Sequence, residues 1–382
     1  MLTLLKPHSI SSVLQTIGCT QESIPIFAKK ANMLCIQADH IGYREATILK
    51  QTFLSQGGDV AVHKNVLDHS VQDSSILMMG TENVFSLCLQ SLERQNYFQI
   101  PTIRASLAHF LRTILSKQKN PQPVLMGILN LTPDSFSDGN ECMSTAFALE
   151  KAASLVEQGA DIIDIGGEST RPGARLIHEQ EELQRVLDPL LHIRKRFPQC
   201  KLSLDTHKVS VAKAGIDNGI QMINCIKISH EMIELVSRFP SVELIVMHIK
   251  GTPETMQKET HYDSLLEDIH HFFESTLDLC SQYSIDKNRI ILDPGIGFAK
   301  TAPQNVEIVR NISCFYDLGC RILVGHSRKS FLGEIANIPL PERDLPTAVM
   351  GALLWREGVD ILRVHDVKAT KNACKIVSIM HS

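Results

Sequence analysis

The chain has 382 residues, 43 % hydrophobic and 21 % charged, with a formal net charge of −4. This is the composition of a folded protein long enough for about two to three domains, and it excludes wholesale disorder. The near-balanced charge argues against a basic nucleic-acid binder, and no apolar run reaches the roughly 18 residues of a membrane helix.

In chain order, the opening Met-Leu-Thr-Leu-Leu-Lys-Pro lacks the pattern of a secretory leader, so a cytoplasmic protein is expected. Residues 43–55 predict a helix closed by Gly57 and Gly58. Residues 60–63 and 76–79 predict short strands, and 82–95 and 102–116 two further helices. The polar, proline-bearing stretch 117–123 reads as a connector. Residues 1–118 are therefore expected to form a small α/β extension. It carries no signal for a role.

From residue 122 a rhythm sets in of short aliphatic runs, polar or glycine-rich turns and helical patterns. The runs are 124–130, 162–166, 201–205, 222–226, 243–248, 290–293, 321–325 and 361–365. They are apolar almost throughout, as parallel strands buried on both faces are. Between them, 146–158 and 179–196 predict helices, the second with a stripe of Leu183, Val186, Leu187, Leu190 and Leu191. Eight such units across 122–382 predict a TIM (β/α)8 barrel following the α/β extension.

Polar residues close these runs, among them Asn130, Asp205, Asn224, His248, Asp293 and Arg363. Barrel active sites occupy that end of the strands, so the scattered positions become one ring. Solvated loops explain polarity after a strand, but not polarity within its last positions, as at Asp205 and Asn224. The ten cysteines are scattered with no C-x-x-C pair and read as reduced, mostly buried thiols. The barrel's charge of −7, against +3 in residues 1–120, requires any anion site to be a local concentration of positive groups.

The motif Met126-Gly-Ile-Leu-Asn-Leu-Thr-Pro-Asp-Ser-Phe-Ser-Asp-Gly139 resembles the signature of the dihydropteroate synthase family. The resemblance runs on through Asp164–Gly173, Ser203–Thr206, Met247–Gln257, Asp293–Phe298, Ser327–Phe331 and Arg363–Val367, covering about 122–382. It implies a transferase of folate biosynthesis that condenses 6-hydroxymethyl-7,8-dihydropterin diphosphate with 4-aminobenzoate and releases pyrophosphate. Residues 122–382 are then a pterin-binding barrel.

By that resemblance, Asp205, Asn224, Asp293 and Lys329 bind the pterin, while Asn130, Arg171, Arg363 and His365 bind the diphosphate. Arginine can grip phosphate oxygens with two donors, and positive charge stabilises the leaving group. Asn130 is implied as the protein ligand of Mg2+ through its amide oxygen; its ordinary reading is a turn former at a strand end. Phe136, Thr170, Pro172, Phe298 and Ser330 are implied for 4-aminobenzoate. Asp134, Asp205, Lys329, Arg363 and His365 are the implied catalytic set. The loop with Asp134, Phe136 and Ser137 would close over the centre, in an SN1-like mechanism needing no strong general base. A homodimer is implied, with small-molecule substrates and no nucleic-acid or membrane partner.

Three positions depart from the family's usual residues: Cys225 for Asp, Ala299 for Gly and Lys250 for Gln or a similar polar residue. A methyltransferase acting on methyl-tetrahydrofolate would share the pterin pocket. It would need neither Asn130 with the Thr132-Pro-Asp-Ser-Phe136 loop nor Arg363 and His365. A catalytically dead, pterin-binding scaffold is the non-enzymatic alternative, disfavoured by the complete ring of charges. The extension is shorter than the pyrophosphokinase often fused to this family and lacks its Asp-x-Asp pattern. It reads better as a docking or oligomer-stabilising module.

Overall fold

The computed structural model describes residues 10–117, 122–132, 141–169, 176–251, 255, 256 and 258–381. The chain divides into two compact units, residues 1–112 with 379–382, and residues 113–378.

The first unit contains α1 (Ile10–Ile17), α2 (Ser23–Ala31), β1 (Met33–Gly42), α3 (Tyr43–Ser55), β2 (Asp59–Ala61), β3 (Asp73–Thr81), α4 (Glu82–Leu92) and most of α5 (Ile100–Lys117). Its strands form an antiparallel sheet of order β1-β3-β2. Alternation along β1 and β3 buries Leu34, Ile36, Ile76 and Met78 on one face. Ala46, Leu49 and Phe53 of α3 repeat at helical spacing and are buried, and Phe53 meets Phe85 of α4 edge to face at 5.0 Å. The sequence reading missed α1, α2 and β1, and made β3 too short. In β1 the buried Leu34 and Ile36 alternate with residues as different as Met33, Cys35 and Gln37, so composition hides the period.

The second unit is a closed parallel barrel. Its elements are β4 (Val124–Asn130), α6 (Glu141–Gln158), β5 (Ile162–Gly166), α7 (Glu179–Arg196), β6 (Lys201–Asp205), α8 (Val209–Asp217), β7 (Met222–Cys225), α9 (His230–Ser237), β8 (Glu243–Met247), α10 (Leu265–Gln282), β9 (Ile290–Asp293), α11 (Ala302–Arg310), β10 (Arg321–Val324), α12 (Ser330–Ala336), α13 (Asp344–Arg356), β11 (Ile361–Val364) and α14 (Val367–His381). Strands follow in sequence order around the barrel, and β11 closes against β4. The fold is therefore the expected (β/α)8 barrel.

In α7 the buried face is Glu182, Val186, Pro189, Leu190 and Ile193, while Leu191 is exposed, so the stripe runs one position off the one expected. Acidic residues fill its first turn and Arg194, Lys195 and Arg196 its last, complementing the helix dipole. Lys117, the last residue of α5, belongs to the barrel unit: its Nζ donates to Asp360 Oδ2 at 2.5 Å and Gly358 O at 3.2 Å. Asp360 Oδ2 in turn accepts the Ile322 N–H at 2.7 Å.

Strand parity organises the interior. Met126, Ile162, Met222, Ile245, Ile291, Leu323 and Ile361 pack as one buried apolar cluster. Side chains two positions further along each strand point the same way. That step carries Ile162 to Asp164, Met222 to Asn224, Ile291 to Asp293 and Ile361 to Arg363, placing a polar layer on an apolar floor.

Candidate active site

Neighbouring strands bring the ring residues into register. Asn130 pairs with Gly166, Gly166 with Asp205, and Asp205 with Asn224. Gly166 keeps this corner open: a Cβ there would stand 3.6 Å from both Asn130 Oδ1 and Asp205 Cβ.

Arg363 is the hub. Its Nε donates to Asp164 Oδ2 at 2.6 Å, and its Nη2 to Asp205 Oδ2 at 2.8 Å. Asn224 Nδ2 donates to the same Asp164 oxygen at 3.0 Å. Asp164 is fully buried, and its Oδ1 lacks a hydrogen-bond partner among the described residues. Burial pushes the Asp205 carboxyl up to about 7, against the pull of Arg363 and with added repulsion from Asp164, Glu182 and Asp293. For Arg363, burial opposes the charge, but Asp164, Asp205 and Asp293 together raise its pKa further.

Asp293 lies across the opening, buried, with Oδ1 accepting the Gly295 N–H at 2.8 Å. Burial raises its pKa, and Lys329 is the largest opposing influence. Lys329 donates to Ile296 O and stands 4.1 Å from the centre of the Phe298 ring. Burial pushes its ammonium down to about 7. Ser330 follows as the exposed first residue of α12. His365 is half-buried beyond β11, with Nδ1 2.9 Å from Ser327 Oγ.

The glycine-rich turn after β9 is held from below by Lys300. Its Nζ donates to Gly295 O at 3.2 Å and Phe298 O at 3.0 Å and lies 3.0 Å from His248 Nδ1. Burial drives Lys300 down to about 7 and His248 down to about 3, so the imidazole is a neutral acceptor. The turn is tight: a Cβ on Gly295, at φ +68°, would fall 2.0 Å from His248 O. Ala299 adopts φ 53°, a left-handed backbone that explains the glycine usual in the family. Cys225 is buried and donates from Sγ to Lys227 O at 3.2 Å, closing the turn after β7 without the buried charge of an aspartate.

The structure thus brings Asp205, Asn224 and Arg363 into one network and sets Lys329 against Phe298. Asn130 and Asp293 end their strands, His365 follows β11, and Ser330 opens α12. Asp134, Phe136, Ser137, Thr170, Arg171 and Pro172 lie outside the described residues. Sequence reasoning missed Asp164 and Ser327 as site residues. Asp164 carried a signal, a charge inside the apolar run Ile162–Gly166 at the parity of its inward face.

Among the described residues, no three His, Cys, Asp or Glu side chains converge as a metal cage. Asn130 presents one neutral oxygen at the rim, a donor set suited to magnesium held mainly by substrate oxygens and water. None of the helices in the described residues is long and apolar enough to cross a membrane.

Fold and ring define the class, a (β/α)8 enzyme with buried charge at the C-terminal strand ends. Residues 126–365 match the family "Pterin binding enzyme". The dihydropteroate synthase of Synechocystis sp. is 42 % identical over 260 residues, covering 67 % of this chain and 89 % of that protein. The Xanthomonas albilineans dihydropteroate synthase, solved with 4-aminobenzoic acid, matches with TM-score 0.64 and 34 % identity over 68 % of this chain and 94 % of that one. The Anaplasma phagocytophilum enzyme, with bound 6-hydroxymethylpterin-monophosphate, matches with TM-score 0.63 and 35 % identity over 68 % of this chain and all of that one. The chain belongs to the dihydropteroate synthase family of pterin binding enzymes, transferases of folate biosynthesis.

Proposed function

We propose that this chain joins 6-hydroxymethyl-7,8-dihydropterin diphosphate to 4-aminobenzoate, giving 7,8-dihydropteroate and pyrophosphate by an SN1-like route. The observation that carries the reading is the Arg363 guanidinium held between the buried carboxylate of Asp164 and the partly buried one of Asp205. The two related structures, one with 4-aminobenzoic acid and one with a hydroxymethylpterin monophosphate, support the substrate pair.

Asp205, Asp293 and Asn224 offer the acceptors and the amide that an amino-pyrimidine edge requires, and Lys329 offers a donor. The carbon–oxygen bond to the diphosphate breaks first, its electron pair leaving with the oxygen. Arg363, His365 and Arg171 stabilise that charge. Asp205, as carboxylate, stabilises the positive charge spread from the exocyclic methylene into the pterin. The arylamine nitrogen then forms the new carbon–nitrogen bond and sheds its proton. Bound magnesium would neutralise charge on the leaving diphosphate, with Asn130 as its protein ligand.

Phe298 supplies an aromatic wall for 4-aminobenzoate, and Ser330 with Lys329 supplies donors and charge for its carboxylate. Phe136, Thr170 and Pro172 join this group, and Asp134 acts in the closing loop, on motif alone. A cytoplasmic homodimer belongs to the same reading. Leu345, Val349 and Leu353, four apart along α13, stay exposed, and a second copy would cover them. The extension, residues 1–118, is proposed as a docking or oligomer-stabilising module. Incubation with the dihydropterin diphosphate, magnesium and 4-aminobenzoate is expected to yield pyrophosphate and dihydropteroate together. Absence of both products overturns the proposal.

A further inference from the structure

Ser327 and His365 follow the paired strands β10 and β11. Ser327 Oγ lies 2.9 Å from His365 Nδ1, and it accepts the His365 backbone N–H at 3.2 Å. Ser327 is buried, and no other hydrogen-bond partner of its hydroxyl occurs among the described residues.

A serine hydroxyl has one hydrogen to donate and two lone pairs to accept with. One lone pair takes the His365 amide. With a neutral imidazole, the hydroxyl hydrogen goes to Nδ1, and the ring proton sits on Nε2. With an imidazolium, Oγ accepts from Nδ1, and Nε2 again carries a proton. The remaining tautomer, neutral with its proton on Nδ1, would give Oγ a second donor and strand the hydroxyl hydrogen in a buried place. A buried donor without an acceptor costs free energy.

The turn carrying Ser327 is built to hold this arrangement. Arg328 adopts φ 58°, a left-handed backbone uncommon outside glycine. Helix α13 anchors it on several sides. Thr347 Oγ1 accepts the Arg328 N–H at 3.1 Å, and Asp344 takes its guanidinium at 2.5 and 2.8 Å. Arg343 Nη1 donates to Arg328 O at 3.1 Å. On the other side of Ser327, the fully buried His326 has Nε2 2.9 Å from Thr347 O. Both neighbours of Ser327 are thus fastened to one helix, and strain in such a turn persists only where its surroundings impose it.

We propose that Ser327 is a positioning residue that keeps His365 an Nε2–H donor in both of its protonation states. What that donor meets, an anionic oxygen of the leaving group, rests on the function proposed above; the tautomer does not.

The test is nitrogen NMR of the full chain labelled at histidine, at a pH where His365 is neutral, with its signals assigned by their loss in His365→Gln. A protonated Nε2 and a bare Nδ1 are expected. Ser327→Ala should move both shifts toward their average, and Ser327→Thr, which keeps the hydroxyl, should restore them. In the condensation assay, Ser327→Ala should lose about tenfold in kcat/KM for the dihydropterin diphosphate, the worth of one hydrogen bond. Ser327→Thr should recover most of it. A wild-type His365 protonated on Nδ1 overturns the proposal, as does a Ser327→Ala protein with unchanged shifts or unchanged kinetics. A wild-type chain without activity overturns the functional reading and leaves the NMR result standing on its own.

Discussion

Arg363 and Asp205 meet at 2.8 Å, Nη2 to Oδ2, although they come from the last strand of the barrel and the third. The same guanidinium holds the fully buried Asp164, so a single cation balances two carboxylates, one buried and one partly so. Removing one partner of a buried ion pair strands the other, at about 3–5 kcal/mol. Arg363→Met should therefore lower the denaturant midpoint sharply and cut kcat by about 10²–10³. Adding Asp205→Asn should recover part of the stability and none of the activity. A double variant whose loss equals the sum of the Arg363→Met and Asp205→Asn losses would show that the pair is not coupled.

The two groups pushed to about 7 act on stability in opposite directions. Asp205 ordinarily titrates near 3.8, so between about 4 and 7 the folded chain keeps a proton that the unfolded chain has lost. This contribution is full below about 4 and disappears as pH rises through 7. Lys329 ordinarily titrates at 10.5, so between about 7 and 10.5 the unfolded chain holds a proton that the folded one lacks. Stability from Lys329 therefore rises with pH in that window. Unfolding free energies measured from pH 5 to 9 should show Asp205→Asn flattening the acid limb and Lys329→Met reducing the slope of the alkaline limb. An acid limb unchanged in Asp205→Asn would rule out the raised carboxyl.

Lys300 fastens the turn that carries Phe298. In Lys300→Met, Gly295 O and Phe298 O lose this donor, and His248 Nδ1 loses its partner. A cost of about 3 kcal/mol is expected from stranding buried acceptors. The KM for 4-aminobenzoate should rise more than that for the pterin substrate, because Phe298 is proposed to wall the former. Equal changes in both KM values would count against that assignment.

Asn130 offers a metal one neutral oxygen. Asn130→Ala should raise the magnesium concentration for half-maximal activity by about tenfold, corresponding to one weak ligand. Thermal stability should change little, since the residue is only half-buried at the rim. A magnesium titration superimposable on wild type would remove Asn130 from the metal site.

The sequence alone determined the architecture of the barrel. Strands buried on both faces must be apolar throughout, so β4 to β11 stand out as short aliphatic runs, and their ends agree with the structure to within a residue. The polar residues closing those runs marked which end holds the site. The antiparallel sheet of the first unit was less legible, because half-buried strands such as β1 mix residue types on the open face. Only the tertiary structure decided which charges meet. Arg363 and Asp164 are 199 positions apart, and nothing local distinguishes their pairing from any other. Barrel closure and strand parity create it: both side chains point inward, two positions beyond the apolar floor, in a space too dry for either charge to stand alone.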